Sequence, residues 1–240
     1  MRKPEAIVFD FGGTLVIDSA FDFERGANAL RSAALNGDEV STAQLKDLWD
    51  KLYEGINIAF NHDAPFGLET PLSSIFRYIF DVSGLKFDKD LLELEYIFDS
   101  NNSDRTETKH MKELLKYIEE SGIKTAVISN ITLSGEALGR AIRDVYPDNS
   151  FEFVITSADY CLLKPAPFMF KAAANRLSVS PKDCFYCGDS FGADVEGAKS
   201  AGFFPVLYDT KSHEKSVYMD DGAYLKINSW DALTELLSEV

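Results

Sequence analysis

The chain has 240 residues, 45% of them hydrophobic and only 8 of them proline, which suits one large folded domain or a core with an insertion and excludes a disordered chain. Acidic residues outnumber basic ones 39 to 24, a formal net charge of −15, and this excludes nucleic acid and anionic membranes as partners because both need Lys and Arg. An anionic substrate would be repelled as well, so a phosphate site here needs a local cation.

The N-terminus, Met1-Arg2-Lys3-Pro4-Glu5, leads into the short apolar run Ala6–Phe9, which does not read as a signal peptide. No apolar stretch approaches the ~18 residues a bilayer span needs, so a cytoplasmic location is expected. Ala6–Phe9 has the continuous apolar texture of a strand buried on both faces, and it stops at Asp10-Phe11-Gly12-Gly13-Thr14. From about Ile17 to Arg105 the pattern turns helical. Ala27, Leu30, Ala34 and Leu35 form one stripe, and Leu45, Leu48, Trp49 and Leu52 a second. Ile75, Tyr78, Ile79 and Val82 form a third, and Leu91, Leu94, Glu95 and Phe98 a fourth. No strand is read in this stretch.

After Arg105 the sequence alternates. A helix from about Lys109 to Glu120 stops at Ser121-Gly122, and a strand follows over Lys124–Ser129. Then come a helix over Gly135–Val145, a strand over Phe151–Thr156, and a helix over Pro167–Leu177. The strand Cys184–Cys187 precedes a helix over Ala193–Ala201, the strands Phe204–Tyr208 and Tyr224–Ile227 follow, and Trp230–Leu237 closes the chain. The alternation predicts an α/β fold, a three-layer Rossmann-like core with a mostly parallel sheet. The core spans 1–15 and 107–240, with an inserted all-α helical-bundle cap at 16–106. Cys184 and Cys187 form a C-x-x-C pair, but positions three apart on a strand face opposite sides, and no second pair completes a zinc site. Cys161 is the only other cysteine, so reduced structural thiols are expected.

Ligands of such sheets bind beyond the carboxyl ends of the strands. Those ends carry Asp10 with the Gly12-Gly13-Thr14 loop, Ser129-Asn130, Lys164-Pro165-Ala166-Pro167, and Gly188-Asp189-Ser190 followed by Asp194. Carboxylates without paired histidine or cysteine suit a hard divalent cation, Mg²⁺ in particular. A lysine opposite them suits a phosphoryl oxygen, and hydroxyls and loop amides supply neutral donors.

Taken together these segments resemble the haloacid dehalogenase (HAD)-like hydrolase superfamily, subfamily I with a helical C1-type cap. Phe9-Asp10-Phe11-Gly12-Gly13-Thr14-Leu15 matches its first motif, usually D-x-D-G-T-L, except at the third position. Ile128-Ser129-Asn130, Lys164-Pro165-x-Pro167-x-x-Phe170, and Gly188-Asp189-Ser190 with Asp194 match the other three in order. The resemblance implies Mg-dependent hydrolysis of a small phosphorylated metabolite through an aspartyl-phosphate on Asp10. It implies a metal held by Asp10, the Gly12 carbonyl, Asp189 and Asp194, and a phosphoryl group bound by Ser129 and Lys164 with Thr14 and Asn130 in support.

Gly12 departs from the pattern. The usual aspartate there protonates the leaving alcohol and activates water, help typically worth ~10²–10⁴-fold, and glycine cannot do either. Three readings follow: a phosphatase with slowed turnover, a HAD-fold phosphate-ligand binder, or dehalogenase- or phosphonatase-type chemistry. His62 is a candidate replacement donor, and Lys46 and Lys51 are the cap lysines a phosphonatase would need, though both read as solvated. Phe21, Phe23 and Arg25 are candidates to face the cleft, and Phe76–Phe80 reads as bundle core. Oligomeric state is not encoded in any motif.

Overall fold

The computed structural model describes residues 2–59 and 67–240; His62 lies outside the described residues. The chain opens with β1 (Ala6–Phe9) and β2 (Val16–Asp18), followed by the helices α1 (Phe23–Ala33), α2 (Thr42–Ala59), α3 (Leu72–Ser83) and α4 (Leu91–Asn102). It continues through β3 (Arg105–Glu107), α5 (Met111–Glu120), β4 (Lys124–Ser129), α6 (Gly135–Val145), β5 (Val154–Thr156) and α7 (Ser157–Tyr160). Then come α8 (Phe168–Leu177), β6 (Cys184–Gly188), α9 (Glu196–Ala201), β7 (Phe204–Tyr208), β8 (Ser216–Met219), β9 (Tyr224–Ile227) and α10 (Trp230–Ser238).

Seven strands form one sheet in the order β5-β4-β1-β6-β7-β9-β8, all pairings parallel except β8 with β9. The expected α/β layering is what forms. β1 lies at the centre, pairing Ala6 with Lys124 on one side and with Cys184 on the other. Because successive side chains alternate, the two faces bury different sets. Ile7, Phe9, Val127 and Cys187 pack against α5, α6 and α10, whereas Ala6, Val8, Ala126 and Cys184 pack against α8 and α9. Cys184 and Cys187 therefore sit in separate apolar layers, as free thiols. Trp230 of α10 stacks on Tyr208 and meets Phe9 edge-on, with ring centroids 4.3 and 6.0 Å apart.

Helices α1 and α4 each begin at an acidic cap. Asp22, the residue before α1, accepts a hydrogen bond from Arg25 N at 3.1 Å, and Asp90 caps α4 by accepting from Glu93 N at 2.8 Å. Each such cap is worth about 1 kcal/mol. The interior of α1–α4 is aromatic, with Phe23, Phe76, Phe80 and Phe98 buried. This interior is continuous with the α5–α6 side of the sheet, so one apolar cluster runs through both.

Five expectations are corrected. No strand was read between Ile17 and Arg105, yet β2 and β3 pair antiparallel, Asp18 opposite Arg105; at three residues each they are too short to carry a period-2 signal. β8 is likewise a strand the sequence does not announce, because Ser216–Met219 is half exposed and pairs only on one edge. The strand expected from Phe151 begins at Val154. The face of α3 is rotated: Tyr78 and Val82 are exposed and Leu72, Phe76 and Phe80 are buried, since that side faces Phe98. The helix expected from Ala193 opens with a π-helical turn, Phe191–Val195, before α9.

Candidate active site

The site forms where β1, β4 and β6 end. β1 delivers Asp10, and its loop turns at Gly13, whose φ of +72° is a left-handed conformation that favours glycine. A Cβ at Gly13 would also collide with the Asp189 carboxylate, so glycine here lets the first loop approach the fourth. Gly188 serves the same purpose for Asp194, whose carboxylate fills the space a Cβ would take. Asp194 lies in the π-helical turn after β6, a wide turn of a kind common at functional sites. There Ser190 N donates to Asp194 Oδ2 at 2.9 Å.

Lys164 is the hub. Its ammonium donates to Asp10 Oδ1 and Asp194 Oδ1, each at 2.7 Å, to the Tyr186 hydroxyl at 2.8 Å and to the Ile128 carbonyl at 3.3 Å. Burial alone would discharge this lysine, but Asp10 and Asp194 outweigh burial and its pKa rises above the usual value. Asp10 responds the other way. Burial pushes its carboxyl up to about 6, and Asp194 adds to the rise while Lys164 opposes it. Burial and Asp194 likewise raise Asp189, which is otherwise exposed at the mouth.

Asp10, Asp189 and Asp194 each offer an oxygen within 4.8 Å of the others. Three carboxylates against one ammonium leave an excess of negative charge that a divalent cation would balance, and an all-oxygen donor set is what hard cations prefer. The residues therefore fit a bound divalent metal. Gly12 lines the same cleft.

The remaining expected residues divide. Ser129 is buried and lines the cleft, and its hydroxyl makes no hydrogen bond to another described residue, so it is available to a ligand. Asn130 also lines the cleft, but its amide is occupied: Lys164 N donates to Oδ1 at 2.7 Å and Nδ2 donates to the Lys164 carbonyl at 3.2 Å. It fixes the lysine loop. Thr14 is fully buried, away from the cleft lining, and its hydroxyl has no hydrogen-bond partner among the described residues. Lys46 and Lys51 pair with Asp50 and Asp47 at 2.5 and 2.7 Å on the exposed side of α2. Phe21 reaches the cleft, whereas Phe23 is buried and Arg25 pairs outside it with Asp104 at 2.8 Å.

Sequence reasoning missed two groups. Tyr186 lies between the two cysteines, and its parity on β6 places it on the Val8 face beneath Lys164; that parity was the available signal. Arg105 reaches from β3 to Asp18 Oδ1 at 2.8 Å and grips both oxygens of Asp99. Burial opposes its charge, but Asp99 and Asp18 more than compensate and raise its pKa. All three line the cleft, which encloses about 600 Å³. Nothing nonlocal in the sequence pairs them, because the pairing depends on the short β2–β3 ladder. That ladder also matters for Gly12: a Cβ there would fit in ordinary contact with Asp18 Oδ2, 3.4 Å away.

A family model described as haloacid dehalogenase-like hydrolase matches residues 4–202. The chain is 29% identical over 133 residues to ribulose-1,5-bisphosphate 5-phosphatase of Halopiger xanaduensis, a match spanning 53% of this chain and 55% of that protein. The chain thus spans about half the length of this curated relative. Among solved structures, a HAD phosphatase from Thermococcus onnurineus superposes with a TM-score of 0.54 at 20% identity, covering 97% of each chain. A 2-haloacid dehalogenase from Pseudomonas syringae pv. Tomato gives 0.55 at 19% identity, covering 98% of each. These likenesses establish the fold and do not separate the two chemistries. Among the described residues no helix is long and apolar enough to cross a membrane.

Proposed function

The chain belongs to the haloacid dehalogenase-like hydrolase family, and on that premise we propose that it hydrolyses small phosphomonoesters with Asp10 as nucleophile and Mg²⁺ as the required cation. The observation that carries this reading is Lys164, one buried ammonium 2.7 Å from both Asp10 and Asp194 at the centre of three converging carboxylates. Carbon–halogen cleavage calls for no cation and would leave that cluster without a purpose.

Asp10 forms a bond to phosphorus as the ester P–O bond breaks, giving an aspartyl-phosphate and the free alcohol. Water then attacks phosphorus, the Asp10–phosphorus linkage breaks, and phosphate leaves. Lys164 neutralises the phosphoryl oxygens and holds Asp10 in place, and the free Ser129 hydroxyl donates to one of those oxygens. Asn130 acts on Lys164 through its backbone. Asp10, Asp189, Asp194 and the Gly12 carbonyl would hold the cation, which when bound neutralises charge developing on the transferring group. With glycine at position 12, the leaving alcohol takes its proton from bulk solvent and the attacking water returns one to it, so turnover is slower by part of the ~10²–10⁴-fold that a positioned acid supplies. Residues 1–15 and 107–240 carry this chemistry, and the helical insertion at 16–106 roofs the cleft.

The test is turnover of p-nitrophenyl phosphate and a panel of phosphorylated metabolites with Mg²⁺ and with chelator. Hydrolysis that depends on Mg²⁺ is expected. If every ester is inert while Mg²⁺ with a phosphoryl mimic raises Tm, the protein binds phosphate without turning it over. Metal-independent halide release from a 2-haloacid would overturn the assignment.

The cation and protons compete for Asp10, whose carboxyl is pushed up to about 6 before a metal arrives. Stabilisation by a ligand grows with its concentration over its Kd. The rise in Tm on adding Mg²⁺ is therefore expected to be larger at pH 7.5 than at pH 5, measured by differential scanning fluorimetry at constant ionic strength. An equal rise at both pH values would remove Asp10 from the ligand set.

A further inference from the structure

The cleft has two unlike ends. One is the polar centre already described. The other is a wall of rings from the helical insertion: Phe21, Trp49 and Tyr53, backed by Phe98. Phe21 stacks on Trp49 with ring centroids 6.4 Å apart at 27°, and Trp49 stacks on Tyr53 at 4.9 Å and 30°. Phe21 is 58% exposed, an uncommon state for a phenylalanine with other rings beside it. The wall is thus partly uncovered at the cleft.

The charges at this end decide what the wall can receive. Among the described residues lining the cleft, the cations are Lys164 and Arg105. Lys164 is spent on the nucleophile. Arg105 is spent too, with Nε on Asp18 and both terminal nitrogens on Asp99. A substrate with a second phosphate or a carboxylate would meet Asp18 and Asp99 with no free guanidinium or ammonium to bind it, a costly arrangement. A substrate ammonium would have to compete with Arg105 for Asp18 and Asp99, and the stacked rings cover much of the faces over which a cation would sit.

We propose that the alcohol portion of the substrate is uncharged, apolar and planar, an aryl or arylalkyl group that seats on Phe21 and Trp49 while phosphate occupies the Lys164 end. The placement of the phosphate rests on the phosphomonoester reading above. The aryl preference is a binding property of the wall, separable from the chemistry at Asp10.

The experiment measures affinity of the full chain, with Mg²⁺, for 2-phenylethylphosphonate and ethylphosphonate by calorimetry, because phosphonates bind without being hydrolysed as esters. It adds turnover of the matching esters, whose leaving alcohols are both aliphatic and so differ little in leaving-group ability. Burial of a phenyl ring predicts a preference of about 10–100-fold for the aryl phosphonate. In Phe21→Ser, where the replaced side chain is exposed, and in Trp49→Ala the preference is expected to fall below about 3-fold. A wild-type ratio near one, a ratio unchanged in both variants, or tighter binding of phosphonoacetate or 2-aminoethylphosphonate would overturn the proposal. If the affinity ratio holds but neither ester turns over, the aryl subsite stands and the phosphatase reading falls. If ethyl phosphate turns over with no aryl preference, the reverse is true.

Discussion

Asp10→Asn is expected to reduce Mg²⁺-dependent phosphatase turnover by at least ~10⁴-fold, the order of loss that follows removal of an enzyme's nucleophile. The variant keeps the shape of the side chain and an oxygen in the position that accepts from Lys164, 2.7 Å away in the native site. What it loses is the negative charge that attacks phosphorus and helps bind the cation. The consequence for stability runs the opposite way. Burial raises the Asp10 carboxyl from 3.8 to about 6, so between those values the folded protein binds more protons than the unfolded chain and stability declines as pH rises through the interval. At pH 7.5 the ionised Asp10 is a net cost to the metal-free fold, and replacing it with neutral Asn is expected to raise the metal-free Tm by a few degrees. Acid-quenched intact-mass spectrometry should find a phosphate adduct on wild type and none on the variant. A variant with near-wild-type turnover, or an adduct that persists, would remove Asp10 from the reaction.

Lys164→Met is expected to damage both stability and activity, and the two losses should respond differently to Mg²⁺. The ammonium links three segments, the end of β1, the end of β4 through the Ile128 carbonyl, and the turn after β6. Methionine fills similar volume but leaves Asp10 and Asp194 buried without their countercharge. Breaking a buried pair in this way typically costs ~3–5 kcal/mol, a large share of the stability of any domain. In urea melts without metal the midpoint should fall accordingly. Mg²⁺ gives the same carboxylates another countercharge, so the deficit in stability should narrow when it is added. The deficit in turnover should not narrow, since Arg105, the other cation among the described residues lining the cleft, is already paired; a fall of at least ~10²-fold is expected. Equal restoration of both quantities by Mg²⁺ would mean that Lys164 only holds the fold together.

The central part of this architecture was legible because its signals are local. Ala6–Phe9, Ala126–Ile128 and Cys184–Cys187 are mostly apolar runs, and each stops at a residue or glycine of the candidate site, so strand and site announce themselves together. Asp10, Lys164, Asp189 and Asp194 do gather in one place, from segments that follow separate strands and that the family's motifs also mark. What was not legible depends on pairings across the chain. Val16–Asp18 and Arg105–Glu107 are polar and short, and each becomes a strand only because the other lies beside it. The Arg105 contacts with Asp18 and Asp99 inherit that dependence. On α3, two overlapping stripes satisfy the same helical period, and the choice of Phe76 over Tyr78 is made by Phe98 on α4. Asn130 shows a finer limit. Its position at a strand end suggests a ligand contact, but Oδ1 and one Nδ2 hydrogen serve to fix a neighbouring loop.

The position of β1 also bears on how the protein is made. Asp10 and Lys164 are separated by 154 residues, and both neighbours of β1 come from far later in the chain. A ribosome therefore releases Asp10 early, on a strand with nothing to pair with, and long before the lysine that pairs with it. Such distant pairings make for slow folding, and the exposed apolar Ala6–Phe9 strand is an aggregation hazard in the interval. The cluster of three carboxylates cannot assemble until Asp194 has emerged, so a nascent chain halted before that point is expected to contain Asp10 and bind no metal there.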